Sequence, residues 1–308
     1  MKDTSAGEIM NTAWTKGIVV PGFNIPYLPL MEPVIRALRD TGTFGLIMVA
    51  RLEWMKFKSG SMKAIREEYE KFKDYRFTRL HLDHIPVIDE DHLPTDFEGI
   101  ISEAIDLGYD SVMIDGSRLP LEENIERTQR IVRLAHPRGI PVEAELGAVM
   151  GHEPGPLPPY EELFATGRGF TAPGEAGRFI AETGADWLSV AIGNVHGAIS
   201  GAARTEKKIN ARLNIGQLKS INEAARVPLV LHGGTGISKE YLARSFSNGI
   251  AKINIATAIR QPYERLMDHS VSKAQEAVYA EMLDIIENQL EISGSAFRLA
   301  DELNKDAT

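Results

Sequence analysis

The sequence predicts an α/β protein: one (β/α)8 barrel over residues 1–308, with an N-terminal helix and a C-terminal helical extension over 262–308. Eight short runs rich in Val, Ile and Leu recur at 18–24, 45–50, 79–84, 111–117, 141–146, 187–192, 228–232 and 252–257. Several are apolar on both faces, as strands buried in a parallel sheet are. Amphipathic stretches at 30–41, 96–107, 121–135, 174–183, 216–225 and 239–248 lie between them, and such alternation builds βα units. Eight units in about 240 residues favour a closed barrel over an open sheet.

The punctuation agrees. Gly42, Gly108, Gly139, Gly184 and Gly249 each follow a helical stretch and precede a strand, the place of a left-handed helix stop. The stretch 151–173 breaks the rhythm. It is dense in Gly and Pro, with Pro154, Pro156, Pro158 and Pro159 stiffening its start, and a long irregular loop in a compact domain is expected to be a lid. The stretch 261–289 reads as helix. The extension is expected to pack on the barrel or on a neighbouring subunit.

Composition narrows the function. Of 308 residues 43% are hydrophobic and 25% charged, as in an ordinary globular chain. With no cysteine, a metal site must use His, Asp or Glu. A net charge of −9 argues against a nucleic-acid binder but leaves room for a locally positive pocket that takes a small anion. Residues 1–14 lack the apolar segment of a signal peptide, and no apolar run is long enough to span a bilayer. The expectation is a cytoplasmic protein with no membrane or nucleic-acid partner.

In this fold active sites gather where the strands end. Here the ends carry Asn24, Arg51, Asp83 with His84, Asp115 to Ser117, Glu145, Asn194 to His196, His232 to Gly236, and Asn254 to Thr257. Three of these ends bring a histidine: His84, His196 and His232. Three imidazoles from separate strands fit a catalytic metal site that keeps open positions. His81 falls mid-strand and is expected to be packed; His92, His136 and His269 are expected at the surface. The run His-Gly-Gly-Thr-Gly at 232–236 follows a strand and precedes a helix. Its glycines allow close approach of an anion to backbone N–H groups, at the usual phosphate position of such barrels.

Together these stretches resemble the class II (metal-dependent) fructose-bisphosphate and tagatose-bisphosphate aldolase family, whose members are TIM barrels. The matching motifs are PGFN at 21–24, HLDH at 81–84, SVMIDGS at 111–117, ENI at 123–125, VEAELG at 142–147, AIGNVHG at 191–197, LHGGTG at 231–236 and KINIAT at 252–257. They cover roughly 1–265 in order.

The resemblance implies a glycolysis-like lyase that cleaves a ketose phosphate to dihydroxyacetone phosphate and an aldehyde. It implies Zn2+ or another divalent ion on His84, His196 and His232, with Glu145 as a second metal position or a group beside the ligands. It implies Asp83 as the acid/base at the C4 hydroxyl and Glu153, in the lid, as the group that handles the C3 proton. Gly197, Gly234, Thr235, Asn254 and Thr257 look like the phosphate cradle, and Asn24 and Asp115 like groups that orient substrate or ligands. A monovalent cation near the phosphate and a homodimer or homotetramer follow on the same grounds. The chemistry explains the residue types: cleavage leaves charge on the ketone oxygen, which a divalent cation stabilises without a Schiff-base lysine.

Three departures bear on the substrate. Arg51-Leu-Glu-Trp stands where the family has small residues. A guanidinium there fits a carboxylate, sulfonate or phosphate tail, or else an ion pair with an acid such as Glu53. The stretch 198–201 lacks the lysine of many relatives, and 256–258 lacks the acids of fructose-type members, although Arg260 remains to meet a distal anion. The readings in contention are therefore an aldolase for a ketose bisphosphate, an aldolase for a ketose phosphate with a sulfonate, carboxylate or deoxy tail, and a metal-dependent isomerase or sugar-phosphate binder on the same barrel.

Overall fold

The computed structural model describes residues 1, 3–147, 160–194, 211–234 and 236–306. Helix α1 (Ala6–Lys16) opens the chain. Ser5 caps it through a reciprocal pair with Glu8, and Gly17 ends it in the left-handed region.

The strands are β1 (Val20–Asn24), β2 (Gly45–Ala50), β3 (Thr78–Pro86), β4 (Ser111–Asp115), β5 (Val142–Leu146), β6 (Trp187–Val190), β7 (Leu229–Leu231) and β8 (Ile250–Ile255). All pair in parallel with the next, and β8 pairs with β1, so the sheet closes into the expected barrel. Helix α2 (Met31–Asp40) follows β1; α3 (Arg51–Lys56) and α4 (Met62–Phe72) follow β2; α5 (Phe97–Asp106) follows β3; α6 (Leu121–Ala135) follows β4. Then α7 (Tyr160–Thr166) and α8 (Pro173–Thr183) follow β5, α9 (Ile215–Ala225) follows β6, and α10 (Lys239–Phe246) follows β7. After β8 come α11 (Thr257–Leu266), α12 (Val271–Asp284) and α13 (Ser295–Asp306). The five glycines expected to stop helices all have positive φ, from 63° at Gly42 to 105° at Gly249.

The structure corrects one reading of the helices and adds two helices that the sequence reading did not name. The tail at 261–289 is not one helix. The Leu266 carbonyl takes the N–H groups of His269 and Ser270, ending α11. The Ser270 side chain then accepts the Lys273 N–H and starts α12 afresh, and a π turn, Ile285–Gln289, follows. Helices α3 and α4 add a layer after β2. Helix α4 carries a buried stripe of Met62, Ile65 and Tyr69, behind a Ser61 cap.

The barrel interior has two unlike halves. At the N-terminal end Val20, Leu46, Met48, Trp187 and Val230 form an apolar cluster with Ile9 and Met10 of α1 and Leu299 of α13. Above it, toward the strand ends, the interior is filled by His81, Asp83, Glu143, Glu145, His232, Lys252 and Asn254, all buried. Burying ionisable groups costs several kcal/mol each unless they are paired. The upper half of the barrel is therefore stable only as a connected network. The extension lies on the barrel's own helices: Arg36 of α2 meets Glu276 of α12 at 2.9 Å, and Tyr279 donates to Asp40 at 3.0 Å.

Candidate active site

Asp83 and His84 are consecutive, and consecutive strand residues ordinarily face opposite sides. Between β3 and β4 the register shifts from Leu82 to Ile85, a bulge that lets both side chains serve one site. His84 has φ 28°, a conformation that costs a non-glycine residue and is held by its surroundings.

Asp83 is held on both oxygens. Asn24 donates to Oδ2 at 2.9 Å and Asn254 to Oδ1 at 3.0 Å. Burial alone would lift its carboxyl, but His84, Lys252, His232 and His81 outweigh it and keep the group well below the usual carboxylate range. Beside it, His84 Nε2 and His232 Nδ1 face each other at 2.5 Å. Asp115 Oδ2 lies 3.2 Å from the other nitrogen of His84, and Glu143 Oε1 lies 3.0 Å from the other nitrogen of His232. With the protons on those outer nitrogens, both lone pairs point at one spot. That is the arrangement of imidazole ligands oriented by carboxylates. Ligand atoms of Asp83, His84 and His232 lie within 4.8 Å of one another, as do those of His84, Asp115 and Glu145. The donor set fits a divalent cation. Burial lowers the proton affinity of His84, but Asp83, Asp115 and Glu145 reverse this and raise it to about 10; the same field attracts a metal ion.

Glu145 is buried, with Oε2 3.7 Å from Nδ1 of both His84 and His232. Burial, then Asp115, raises its carboxyl well above the ordinary value. Asn194 donates to the His232 carbonyl at 3.0 Å. Asn124, of the ENI motif, donates to the Glu145 carbonyl at 3.0 Å. Gly116 permits this, since a Cβ there would meet the Asn124 Oδ1 at 2.1 Å.

Asn254 contacts Asp83 and, at 3.2 Å, His232 Nε2, so its side chain belongs to the Asp83–His232 cluster; its Oδ1 is buried with no partner among the described residues. Gly234 donates its N–H to the Asn254 carbonyl at 3.3 Å, and a Cβ there would meet Ile253 Cδ1 at 2.6 Å. Thr257 opens α11. Arg260 binds Glu264 at 2.6 Å and lies over the Phe57 ring.

Arg51 follows Ala50, whose β-partner is Asp83, so it stands on the rim next to the acid. Its ion-pair partners are Asp89 at 3.6 Å and Glu90 at 3.8 Å. Glu53, the partner the sequence offered, instead turns inward, accepts the Ala50 N–H and is buried. Burial, with Asp83 adding to it, pushes the Glu53 carboxyl up to about 8 against the Ala50 and Asn24 hydrogen bonds. Glu153, His196, Gly197 and Thr235 lie outside the described residues, as do residues 151–159 at the start of the expected lid.

Sequence reasoning missed Glu143 and Lys252. Glu143 Oε2 is 2.6 Å from Lys252 Nζ, and both side chains are fully buried. Burial would raise the Glu143 carboxyl, but Lys252 and the His232 hydrogen bond hold it at about 2. His81 is packed as expected, with Nδ1 2.8 Å from Ser111, and burial followed by Lys252 pushes it down to about 3. The signal was period-2 spacing: Glu143 stands two residues before Glu145, and Lys252 two before Asn254.

A closed barrel with a carboxylate and a converging pair of imidazoles at the strand ends defines a metal-dependent barrel enzyme. The model of the class-II fructose-bisphosphate aldolase family matches residues 4–298. A probable fructose-bisphosphate aldolase of Bacillus subtilis (strain 168) is 34% identical over 258 residues, 82% of this chain and 81% of that protein. The fructose-bisphosphate aldolase of Geobacillus stearothermophilus is 32% identical over 260 residues, 83% of this chain and 82% of its own. Among solved structures, a putative fructose-1,6-biphosphate aldolase from Coccidioides immitis superposes with a TM-score of 0.75 at 27% identity, covering 97% of this chain and all (100%) of that one. The YdjI aldolase from Escherichia coli K12 gives 0.73 at 28%, covering 95% and 99%. This chain belongs to the class-II fructose-bisphosphate aldolase family. It is a metal-dependent aldehyde-lyase that cleaves a ketose phosphate to dihydroxyacetone phosphate and an aldehyde. Among the described residues no helix is long and apolar enough to cross a membrane.

Proposed function

We propose that Asp83 exchanges the proton of the C4 hydroxyl, that His84, His232 and His196 hold a zinc ion, and that the aldehyde half of the substrate carries an anionic tail met by Arg51. The observation that carries the reading is the Asp83 carboxylate, fixed by one amide on each oxygen beside the His84–His232 pair. An ionised, immobile acceptor takes the C4 proton as the C3–C4 bond breaks, and returns it in the condensation direction. A divalent ion on the imidazoles, when bound, supplies Lewis acidity for the charge that develops on the ketone oxygen.

Glu153 handles the C3 proton from the lid. Gly197, Gly234, Thr235 and the start of α11 at Thr257 cradle the phosphate, with a monovalent cation beside it, and Glu145 is a second metal position. The enzyme works as a homodimer or homotetramer in the cytoplasm, apart from membranes and nucleic acid. The tail assignment rests on Arg51, whose ion-pair partners among the described residues stand at 3.6 and 3.8 Å, beyond hydrogen-bond reach, so that a bidentate anion competes well for its donors.

The test is a coupled assay for dihydroxyacetone phosphate. The panel holds fructose and tagatose 1,6-bisphosphates, and ketose 1-phosphates with carboxylate, sulfonate or neutral tails. Turnover should vanish with a chelator, return with zinc, and fall by ~10²–10⁴-fold in Asp83→Ala. Chelator-resistant turnover, or full activity in Asp83→Ala, refutes the residue roles; a preference for the neutral tail refutes the role of Arg51.

A further inference from the structure

We propose that Glu143 and Lys252 are a positioning pair beneath the metal site: Glu143 selects Nδ1 of His232 as the ligand atom, and Lys252 aims Glu143. This rests on the reading of His232 as a ligand. The β5 residues Glu143 and Glu145 alternate on the inner face of the barrel, and so do Lys252 and Asn254 of β8. One layer of the interior is thus built from an acid and a base rather than the branched apolar residues that usually fill such barrels.

Each Glu143 oxygen has one close partner, with His81 Nε2 farther off at 3.5 Å from Oε2 and Asn254 Nδ2 at 3.2 Å from His232 Nε2. Glu143 Oε1 accepts from His232 Nε2 at 3.0 Å, and Oε2 accepts from Lys252 Nζ at 2.6 Å. With its proton on Nε2, His232 presents the Nδ1 lone pair toward His84 Nε2, 2.5 Å away. Neither member of the pair reaches solvent, since both side chains are 0% exposed, so they touch no substrate and act through His232. The ammonium also lies 3.4 Å from His81 Nε2 and 3.9 Å from Asp83 Oδ1. One buried cation therefore stands under both the ligand-orienting carboxylate and the acid/base. A buried ion pair is a poor way to gain stability, because an apolar pair of similar volume often serves as well or better. Orientation of the ligand explains why charge stands here.

The experiment compares the parent protein with Glu143→Leu/Lys252→Met, Glu143→Gln/Lys252→Met and His232→Ala. Zinc dissociation constants come from competition with a chromophoric chelator, visible spectra from the cobalt-substituted proteins, and Tm from the chelated ones. Glu143→Leu/Lys252→Met should keep its Tm within a few degrees, bind zinc ~10–100-fold more weakly, and shift the cobalt bands. Glu143→Gln/Lys252→Met keeps an acceptor for Nε2–H and should recover part of the affinity. If Glu143→Leu/Lys252→Met does not fold, the Gln variant decides alone: weaker zinc with shifted bands supports the pair, and parental values overturn it. Parental zinc affinity and spectrum in a folded Leu/Met variant reduce the pair to packing. His232→Ala separates the two layers of the argument. Unimpaired zinc binding there removes the ligand itself, whereas loss there beside a parental Leu/Met variant removes only the pair.

Discussion

The floor of the site and its rim are built on different principles. On the floor, Asp83, Glu143, His232, Lys252 and Asn254 are buried, with partners at 2.6–3.0 Å. On the rim, Arg51 meets the loop after β3, among the described residues, through ion pairs of 3.6 and 3.8 Å. The same two segments expose Met55 and Leu93, at 60% and 59%. The floor is committed before any substrate arrives, as preorganised electrostatics require. The rim still has donors and apolar surface to give. Such a division, with fixed chemistry on the strands and adjustable recognition on the loops, lets one cleavage step serve more than one substrate tail.

The hardest way to break the floor is Asp83→Asn. It preserves shape and removes the proton acceptor, so kcat should fall by ~10²–10⁴-fold. Zinc content should stay near that of the parent, while Tm should fall, because the new Nδ2 meets an amide donor of Asn24 or Asn254 where an oxygen accepted it. Loss of zinc in step with activity would make Asp83 a ligand rather than an acid/base, which metal analysis of the purified variant decides.

The two regions also differ in how far the sequence disclosed them. The barrel was legible because parallel strands are buried on both faces and read as continuous apolar runs, and because the left-handed glycines mark where helices stop. Asp83, His84 and His232 were legible because polar residues at strand ends have little structural reason to be there. Glu143 and Lys252 were only half legible: period 2 puts them on the faces of Glu145 and Asn254, but nothing local says that a mid-strand lysine pairs with a glutamate 109 positions away. The bulge at 82–85 and the φ of His84 come from pairing with β4 and leave no local mark. On the rim, Arg51 and Glu53 were visible as charges, but not their division of labour. Helix α3 starts at Arg51 and turns Glu53 back to the Ala50 N–H, which frees Arg51 to reach Asp89 and Glu90.

Arg51→Ala sharpens the comparison with a middling effect. For a ketose phosphate with a carboxylate or sulfonate tail, KM should rise ~10–100-fold, the worth of a charge-assisted hydrogen bond or two. A neutral-tailed analogue should be nearly indifferent, and kcat should change little with either. An equal loss on both substrates would mean that Arg51 supports the loop after β3 instead of the tail.

Glu53 belongs to the rim by sequence and to the floor by burial, and it carries the smallest predicted effect. Its carboxyl is pushed up to about 8, first by burial and then by Asp83, whereas the unfolded chain releases that proton near its ordinary value of about 4.3. Between these values the folded protein holds a proton that the unfolded one has lost. The stabilisation is therefore full below about 4.3 and disappears as pH rises toward 8. Glu53→Gln keeps an acceptor for the Ala50 N–H and cannot ionise. Measured on chelated protein, so that metal occupancy does not change with pH, the fall in Tm from pH 6 to pH 8 should be smaller in the variant by a few degrees, at ~2–4 °C per kcal/mol. Parallel curves would assign the pH dependence to the histidines and leave Glu53 as a cap on α3. A flatter curve would place a neutral carboxylic acid beside Asp83 at working pH, so that one buried acid keeps its proton while its neighbour trades one with the substrate.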